Sequence, residues 1–251
     1  MVLNVYQHGN KVFNLYKGKP IAAMTCGMGH MGQASISTLA KDFRRMITKG
    51  VGGEAIDPET YTIEEVVRRA HDFFAARYAE IEPAPANPHG FEFSVGGYGA
   101  GRDNSEVWKI SIYDGDVRAP ELIVAEGITG NVAWGGQPKP LSRLIFGFDP
   151  DIGQALSAAG LPEEAIEPLV EQLRQRLTTP LVEPAMPIGD AIALADFMVD
   201  LTKKYFAFLP QADVVGGATD IATVTKHEGF KWIRRKHHYP AELNPRETDH
   251  V

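Results

Sequence analysis

The sequence has 251 residues and a single cysteine, Cys26. One thiol cannot close an internal disulfide, so nothing in the sequence points to an oxidising compartment. No apolar run is long enough to cross a bilayer, and residues 1–10 lack the apolar core of a secretory signal. We therefore expect a cytoplasmic protein that has no membrane partner.

Positive charge is also scarce, since 25 Lys and Arg face 32 Asp and Glu and give a net charge of −7. An acidic surface repels phosphate backbones, which argues against nucleic acid as a partner. The basic run at 234–238 is interpreted as a solvated face. His237 and His238 have no second ligand pair at zinc-like spacing. We expect no metal and no cofactor.

Hydrophobic periodicity, by contrast, is clear along most of the chain. Alternation and β-branched content predict strands at 12–16, 21–26, 91–98, 107–113, 219–225 and 230–233, with a weaker candidate at 128–134. Helical spacing predicts helices at 33–49, 62–78, 140–146, 152–159, 162–177 and 188–208. Strands and helices are segregated rather than alternating, so the order predicts an α+β layered fold.

The boundaries of these elements carry their own signals. Thr62 and Glu65 form a capping-box pattern at the start of the second helix. The sequence Asp114-Gly115-Asp116 predicts a tight turn after the fourth strand. We expect a single domain over 1–251, with a helical insertion at 149–183 and a loose tail at 239–251.

Two blocks of sequence carry a resemblance to a known family. The first contains Lys11-Val12-Phe13, Ile21 to Gly27, and a helix with Ser35, Leu39 and Arg44; the second contains Gly216 to Ala222 and Gly229 to Ile233. They resemble the proteasome β-subunit family and its bacterial relatives, which are N-terminal-nucleophile hydrolases. The resemblance implies a four-layer αββα sandwich, a peptide or protein substrate, and self-association into a ring or stack.

The resemblance also implies roles for three residues. Lys11 matches the lysine that keeps the family's site electropositive, because it immediately precedes the Val-Phe strand pattern. Gly27 matches the glycine whose backbone N–H helps to hold the oxyanion. Thr25, two residues earlier on the same strand face, is expected to line the pocket for the substrate side chain.

The sequence departs from the family pattern where the nucleophile should be. The family's threonine and its aspartate partner lie upstream of Lys11, whereas the sequence begins Met1-Val2. Val215 stands where a hydroxyl is common, and Asp213 is one residue out of register. We expect that an upstream strand pair precedes this start, because a sheet deprived of it would expose apolar surface and unpaired backbone. The alternative is a catalytically inactive assembly subunit of the same fold.

Two other hypotheses concern the glycine-rich segment. Cys26 with His30 suggests a cysteine hydrolase, but Cys26 lies in an apolar strand that favours a packing role. Gly27, Gly29 and Gly32 match the spacing of a dinucleotide fingerprint, although the preceding segment is predicted to be a hairpin. A nucleotide-binding enzyme is therefore the less favoured alternative.

Overall fold

The computed structural model describes residues 9–81, 90–125, 130–210 and 214–236. The strands are β1 (Val12–Asn14), β2 (Ile21–Gly27), β3 (His30–Met31), β4 (Ala34–Ser35), β5 (Phe91–Tyr98), β6 (Ser105–Tyr113), β7 (Asp116–Val124), β8 (Ile221–Thr225) and β9 (Gly229–Arg234). The helices are α1 (Ile36–Lys49), α2 (Ile63–Ala79), α3 (Lys139–Phe146), α4 (Ile152–Ala158), α5 (Glu163–Leu177) and α6 (Ile188–Ala207). Within these ranges, no helix is both long and apolar enough to span a membrane.

The largest element is a five-stranded antiparallel sheet with the order β1-β2-β5-β6-β7. Its strands alternate as the sequence predicts, and every second residue of β5 is buried from Phe91 onward. These apolar side chains form the main core together with α1 and α2. Phe74 of α2 lies at the centre, with its ring centroid 4.7 Å from that of Phe93 and 5.0 Å from that of Phe91.

The third strand of the central β region is not where the sequence predicted it. The segment 128–134 was the expected strand, but the strand is β7, and residues 130–134 are not in a strand. The turn between β6 and β7 was predicted correctly, with positive φ at Asp114 (52°) and Gly115 (85°). The alternation of β7 is obscured because it is an edge strand, mostly exposed, and contains Pro120.

The helix termini follow the expected capping chemistry. The Thr62 hydroxyl accepts the Glu65 N–H at 3.0 Å, while the Glu65 carboxylate pairs with Arg69 instead of completing the capping box. Helix α1 begins at Ile36 rather than at 33, because β3 and β4 occupy the preceding residues. Gly50 ends it in the left-handed conformation, at φ 68°.

The C-terminal half is built from helices around a second, smaller core of Leu141, Ile145 and Met198. Helices α4 and α5, within the predicted insertion at 149–183, have no buried residue. The β8–β9 hairpin contacts β5 and β2, and α6 contacts β8. The described residues thus form a mixed fold of six helices and antiparallel sheets, which agrees with the α+β class.

Candidate functional site

The end of β2 is shaped by the backbone of Gly27. Its φ is +81°, and a Cβ atom at this position would lie 1.8 Å from the carbonyl oxygen of Gly90. The same oxygen accepts the N–H of Met28 at 2.9 Å, which fixes the course of the chain as it leaves the sheet. Glycine is therefore required here by the backbone, whatever else the residue does.

Lys11 lies directly opposite this strand end. Its carbonyl oxygen accepts the N–H of Thr25 at 2.9 Å, which continues the antiparallel register in which Val12 faces Met24. Gly27 follows Thr25 by two residues, so the rise per strand residue places it about 7 Å further along β2. The two positions that the resemblance identifies as catalytic, Lys11 and Gly27, are thus brought close together by the fold.

Thr25 is placed differently from a solvent-facing pocket residue. It pairs with Phe93 on the helix-covered face, only 7% of its surface is exposed, and its hydroxyl donates to the carbonyl oxygen of Glu92 at 2.9 Å. The hydrogen bond and the burial give the side chain a structural function. Its contact with a substrate stays a prediction.

The opposite face of the same strands carries a connected polar cluster that the sequence reasoning missed. The Cys26 thiol donates to one carboxylate oxygen of Glu92 at 2.8 Å, and the Tyr113 hydroxyl donates to the other. Cys26 and Glu92 are register partners on β2 and β5, and Tyr113 ends β6. The signal that could have found this cluster was an acidic residue in the alternating pattern of β5, on the side away from the phenylalanines.

A loop covers this polar cluster. A Cβ atom on Gly135 would lie 2.4 Å from the Glu92 carboxylate and 3.0 Å from the Cys26 sulfur, and one on Gly136 would lie 3.3 Å from the Cys26 Cβ. The Gly135–Gly136 backbone can approach so closely because neither residue has a side chain. The two glycines therefore shield the thiol and the carboxylate from solvent.

The charged groups around this cluster shift the pKa of the Cys26 thiol in opposite directions. Burial raises the pKa of the Cys26 thiol, and the hydrogen bond and negative charge of Glu92 raise it further, while Lys11 and Lys109 act in the other direction. Burial likewise raises the pKa of Tyr113, and Glu92 adds to the effect. The thiol is therefore protonated at neutral pH and serves as a hydrogen-bond donor.

The amine of Lys11 is perturbed in the opposite sense. Desolvation lowers its pKa, the charge of Lys236 lowers it further, and interaction with Cys26 works against both. A lowered pKa means that this amine loses its proton more readily than an ordinary lysine does. The end of β2 thus combines a desolvated lysine amine, whose pKa is lowered, with a thiol whose pKa is raised.

Lys236 itself belongs to a buried ion pair. Its amine lies 3.5 Å from a carboxylate oxygen of Asp220, with side-chain exposures of 9% and 4%, and donates to the carbonyl oxygen of Gly9 at 2.8 Å. The other Asp220 oxygen accepts the Lys236 backbone N–H at 2.8 Å. The pair anchors the end of the hairpin beside the segment that leads into β1. The acidic residue that the sequence offered near this hairpin was Asp213, which lies outside the described residues.

The structure does not support the pairing of Cys26 with His30. His30 is exposed, and its Nδ1 contacts the carbonyl oxygen of Gly32 at 3.1 Å, whereas the Cys26 thiol is bonded to Glu92. A protonated thiol is also a poor nucleophile. A cysteine-hydrolase site would need the opposite pKa shift.

The geometry required of a dinucleotide fingerprint is also missing around the glycines. Strand β2 runs antiparallel to both of its neighbours, and β3 and β4 separate it from α1. The fingerprint instead requires a parallel βαβ unit in which the strand leads directly into a helix.

Across the described ranges, no group of three or more His, Cys, Asp or Glu side chains is arranged to hold a metal ion. His237 and His238, the surface histidines of the sequence analysis, lie outside those ranges. No family model, curated protein or solved structure matches the chain. The candidate site is therefore defined by its own geometry alone.

Proposed function

We propose that this chain is a subunit of the proteasome-type hydrolase fold, and that Lys11 supports peptide-bond hydrolysis by an N-terminal nucleophile. The observation that carries the proposal is the position of Lys11 immediately before β1, with its pKa lowered, opposite the strand end formed by Thr25 and Gly27. In its protonated form, an amine at this position can stabilise the deprotonated nucleophile and the negative charge that develops on the substrate.

The packing order supports the proposed four-layer fold. Helices α1 and α2 cover one side of the five-stranded sheet, the β8–β9 hairpin contacts β2 and β5, and α6 contacts β8. These contacts are compatible with the order of helix, sheet, sheet and helix that the proposed αββα sandwich requires. The two-stranded hairpin would form the second sheet.

Self-association into a ring or stack has support on the surface of α6. Phe208, just after the helix, is 88% exposed, and Ile188 and Phe197 are 52% and 50% exposed. Each large apolar side chain exposed on or beside α6 is costly in water, and a subunit interface that covers it would remove that cost. Such an interface would serve an inactive assembly subunit equally well, which is the second candidate.

Expression of two forms of the protein tests the proposal. One is the 251-residue chain, and the other is extended by whatever in-frame codons precede Met1 in the gene. We expect hydrolysis of fluorogenic peptides only by the longer form, and N-terminal sequencing should find a processed Thr, Ser or Cys. Lys11→Ala should lower its rate by about 100-fold or more, because it removes a charge that acts on the reacting atoms.

Lys226→Ala is the matched control, since Lys226 pairs with Asp103 at the exposed turn of the β8–β9 hairpin, and its activity should equal that of the unmodified protein. A stop codon directly upstream, with an assembled but inactive protein, would favour the assembly subunit. Peptide cleavage by the 251-residue chain that is abolished by Cys26→Ala would overturn the proposal in favour of a cysteine enzyme.

A further inference from the structure

A groove lies at the edge of the main sheet, between β1, the first three turns of α1 and the end of β9. Val12, Phe13 and Asn14 line it from the strand, and Ser37, Lys41 and Arg44 line it from the helix. Its volume is about 160 Å³. With about 30 Å³ for each water molecule in the liquid, this is room for a small ligand rather than for a polymer.

The groove is strongly cationic in a protein whose net charge is −7. Four of its lining residues are basic, namely Lys17, Lys41, Arg44 and Arg235. The carboxylate that also lines it, Asp220, is already neutralised by its buried pairing with Lys236. Since opposite charge is not available from that carboxylate, the groove concentrates positive potential within a low-dielectric wall.

Several of these cations are held in place by the fold. Ser37, Lys41 and Arg44 follow one another at intervals of four and three residues, which places them on one face of α1. The Arg235 guanidinium lies over the ring of Trp232, 5.0 Å from its centroid. Asn14 lies on β1, and its amide oxygen accepts the Tyr16 N–H at 3.1 Å, which leaves its NH₂ group as a donor.

We propose that this groove binds the phosphate group of a small phosphorylated molecule, or free phosphate or diphosphate. A phosphate carries more than one negative charge and accepts paired hydrogen bonds, which match a guanidinium fork better than a single carboxylate does. Lys41, Arg44 and Arg235 around one small volume meet that demand. Lys11, Thr25 and Gly27 do not line the groove, so phosphate binding can be tested without any hydrolytic activity.

Calorimetric titration of the 251-residue chain with inorganic phosphate and with diphosphate, at constant ionic strength, tests this proposal. We expect saturable binding with one site per chain, and tighter binding of diphosphate. Arg44→Ala should weaken it about tenfold or more, because a charge-assisted hydrogen bond is lost. Arg45→Ala is the matched control, since Arg45 is the next residue of α1, is exposed and does not line the groove.

Lys41→Ala and Lys49→Ala form a second pair on the same helix, and only the former should weaken binding. A thermal melt of each variant without ligand separates loss of binding from loss of folding. The proposal is overturned if neither anion binds saturably, or if Arg44→Ala and Arg45→Ala weaken binding equally. Binding of an acidic peptide in place of both anions would also overturn it. Tighter binding of a phosphorylated metabolite than of free phosphate would identify the source of the phosphate.

Discussion

The two faces of the five-stranded sheet differ in what covers them and in what they can do. The face under α1 and α2 is apolar, and Phe91, Phe93 and Ile110 on it are almost completely buried. The opposite face carries the hydrogen-bonded cluster of Cys26, Glu92 and Tyr113, with Met24 at 54% exposure. One face therefore supplies most of the free energy of folding, and the other carries hydrogen-bonded titratable side chains.

The difference shows how alternating side-chain direction lets one strand contribute to both faces of the sheet. In β2 and β5, neighbouring residues point to opposite faces, so each strand can be anchored by its apolar set while it presents its polar set elsewhere. Burying these polar side chains costs little free energy because they have hydrogen-bond partners: the thiol and the phenol both donate to one carboxylate.

The largest effect should come from Phe74→Ala on the helix-covered face. Phe74 packs against Phe91 and Phe93 and is fully buried, so we expect a loss of about 3–5 kcal/mol in the free energy of unfolding. Met24→Ala, on the other face, should cost less than about 1 kcal/mol. Urea denaturation followed by circular dichroism measures both. Equal losses would show that the two faces contribute alike and would break the comparison.

Gly27→Ala, at the end of β2, should cause an intermediate loss in the free energy of unfolding. The positive φ and the predicted clash with the Gly90 oxygen should cost about 2–4 kcal/mol. Gly29→Ala is the matched control, because no atom lies within 4 Å of its Cβ position. Thermal unfolding of both variants checks the prediction. An unchanged melting temperature for Gly27→Ala would show that the strand end relaxes easily.

The smallest effect is expected on the polar face and concerns the reactivity of the Cys26 thiol. Removing the charge of Glu92 with Glu92→Gln should lower the pKa of Cys26 toward its ordinary value and speed alkylation by iodoacetamide several-fold at pH 8.5. Glu228→Gln, in the exposed β8–β9 turn, is the control. An alkylation rate that does not respond to Glu92→Gln would mean that burial alone protects the thiol.

The Cys26 thiol also makes the stability of the folded chain decrease at high pH. Its pKa is higher in the folded chain than in the unfolded chain, so the unfolded chain releases the proton first as the pH rises. This contribution to stability is complete below the ordinary thiol pKa of about 8.5 and is lost as the pH rises toward the folded value. The fall above pH 8.5 should be shallower in Glu92→Gln.

Much of the secondary structure was predictable because local signals agree with the fold. The alternation of β5, the Thr62 cap and the turn at Asp114 and Gly115 each match the structure. Strand β7 was not predictable from alternation, since an edge strand is exposed on much of its surface. The short strands β3 and β4 were missed because two residues carry no readable period.

Only part of the candidate site could likewise be predicted from the sequence. The sequence by itself drew attention to Lys11 and Gly27, since the resemblance to the proteasome β-subunit family rests on the segments that contain them. Only the tertiary structure decided that Glu92 joins Cys26 to Tyr113, that Gly135 and Gly136 cover them, and that α1 and β9 form a cationic groove. Local propensity acts over a few neighbouring residues, whereas these contacts join residues up to about 200 positions apart, which only the packing of sheets and helices brings together.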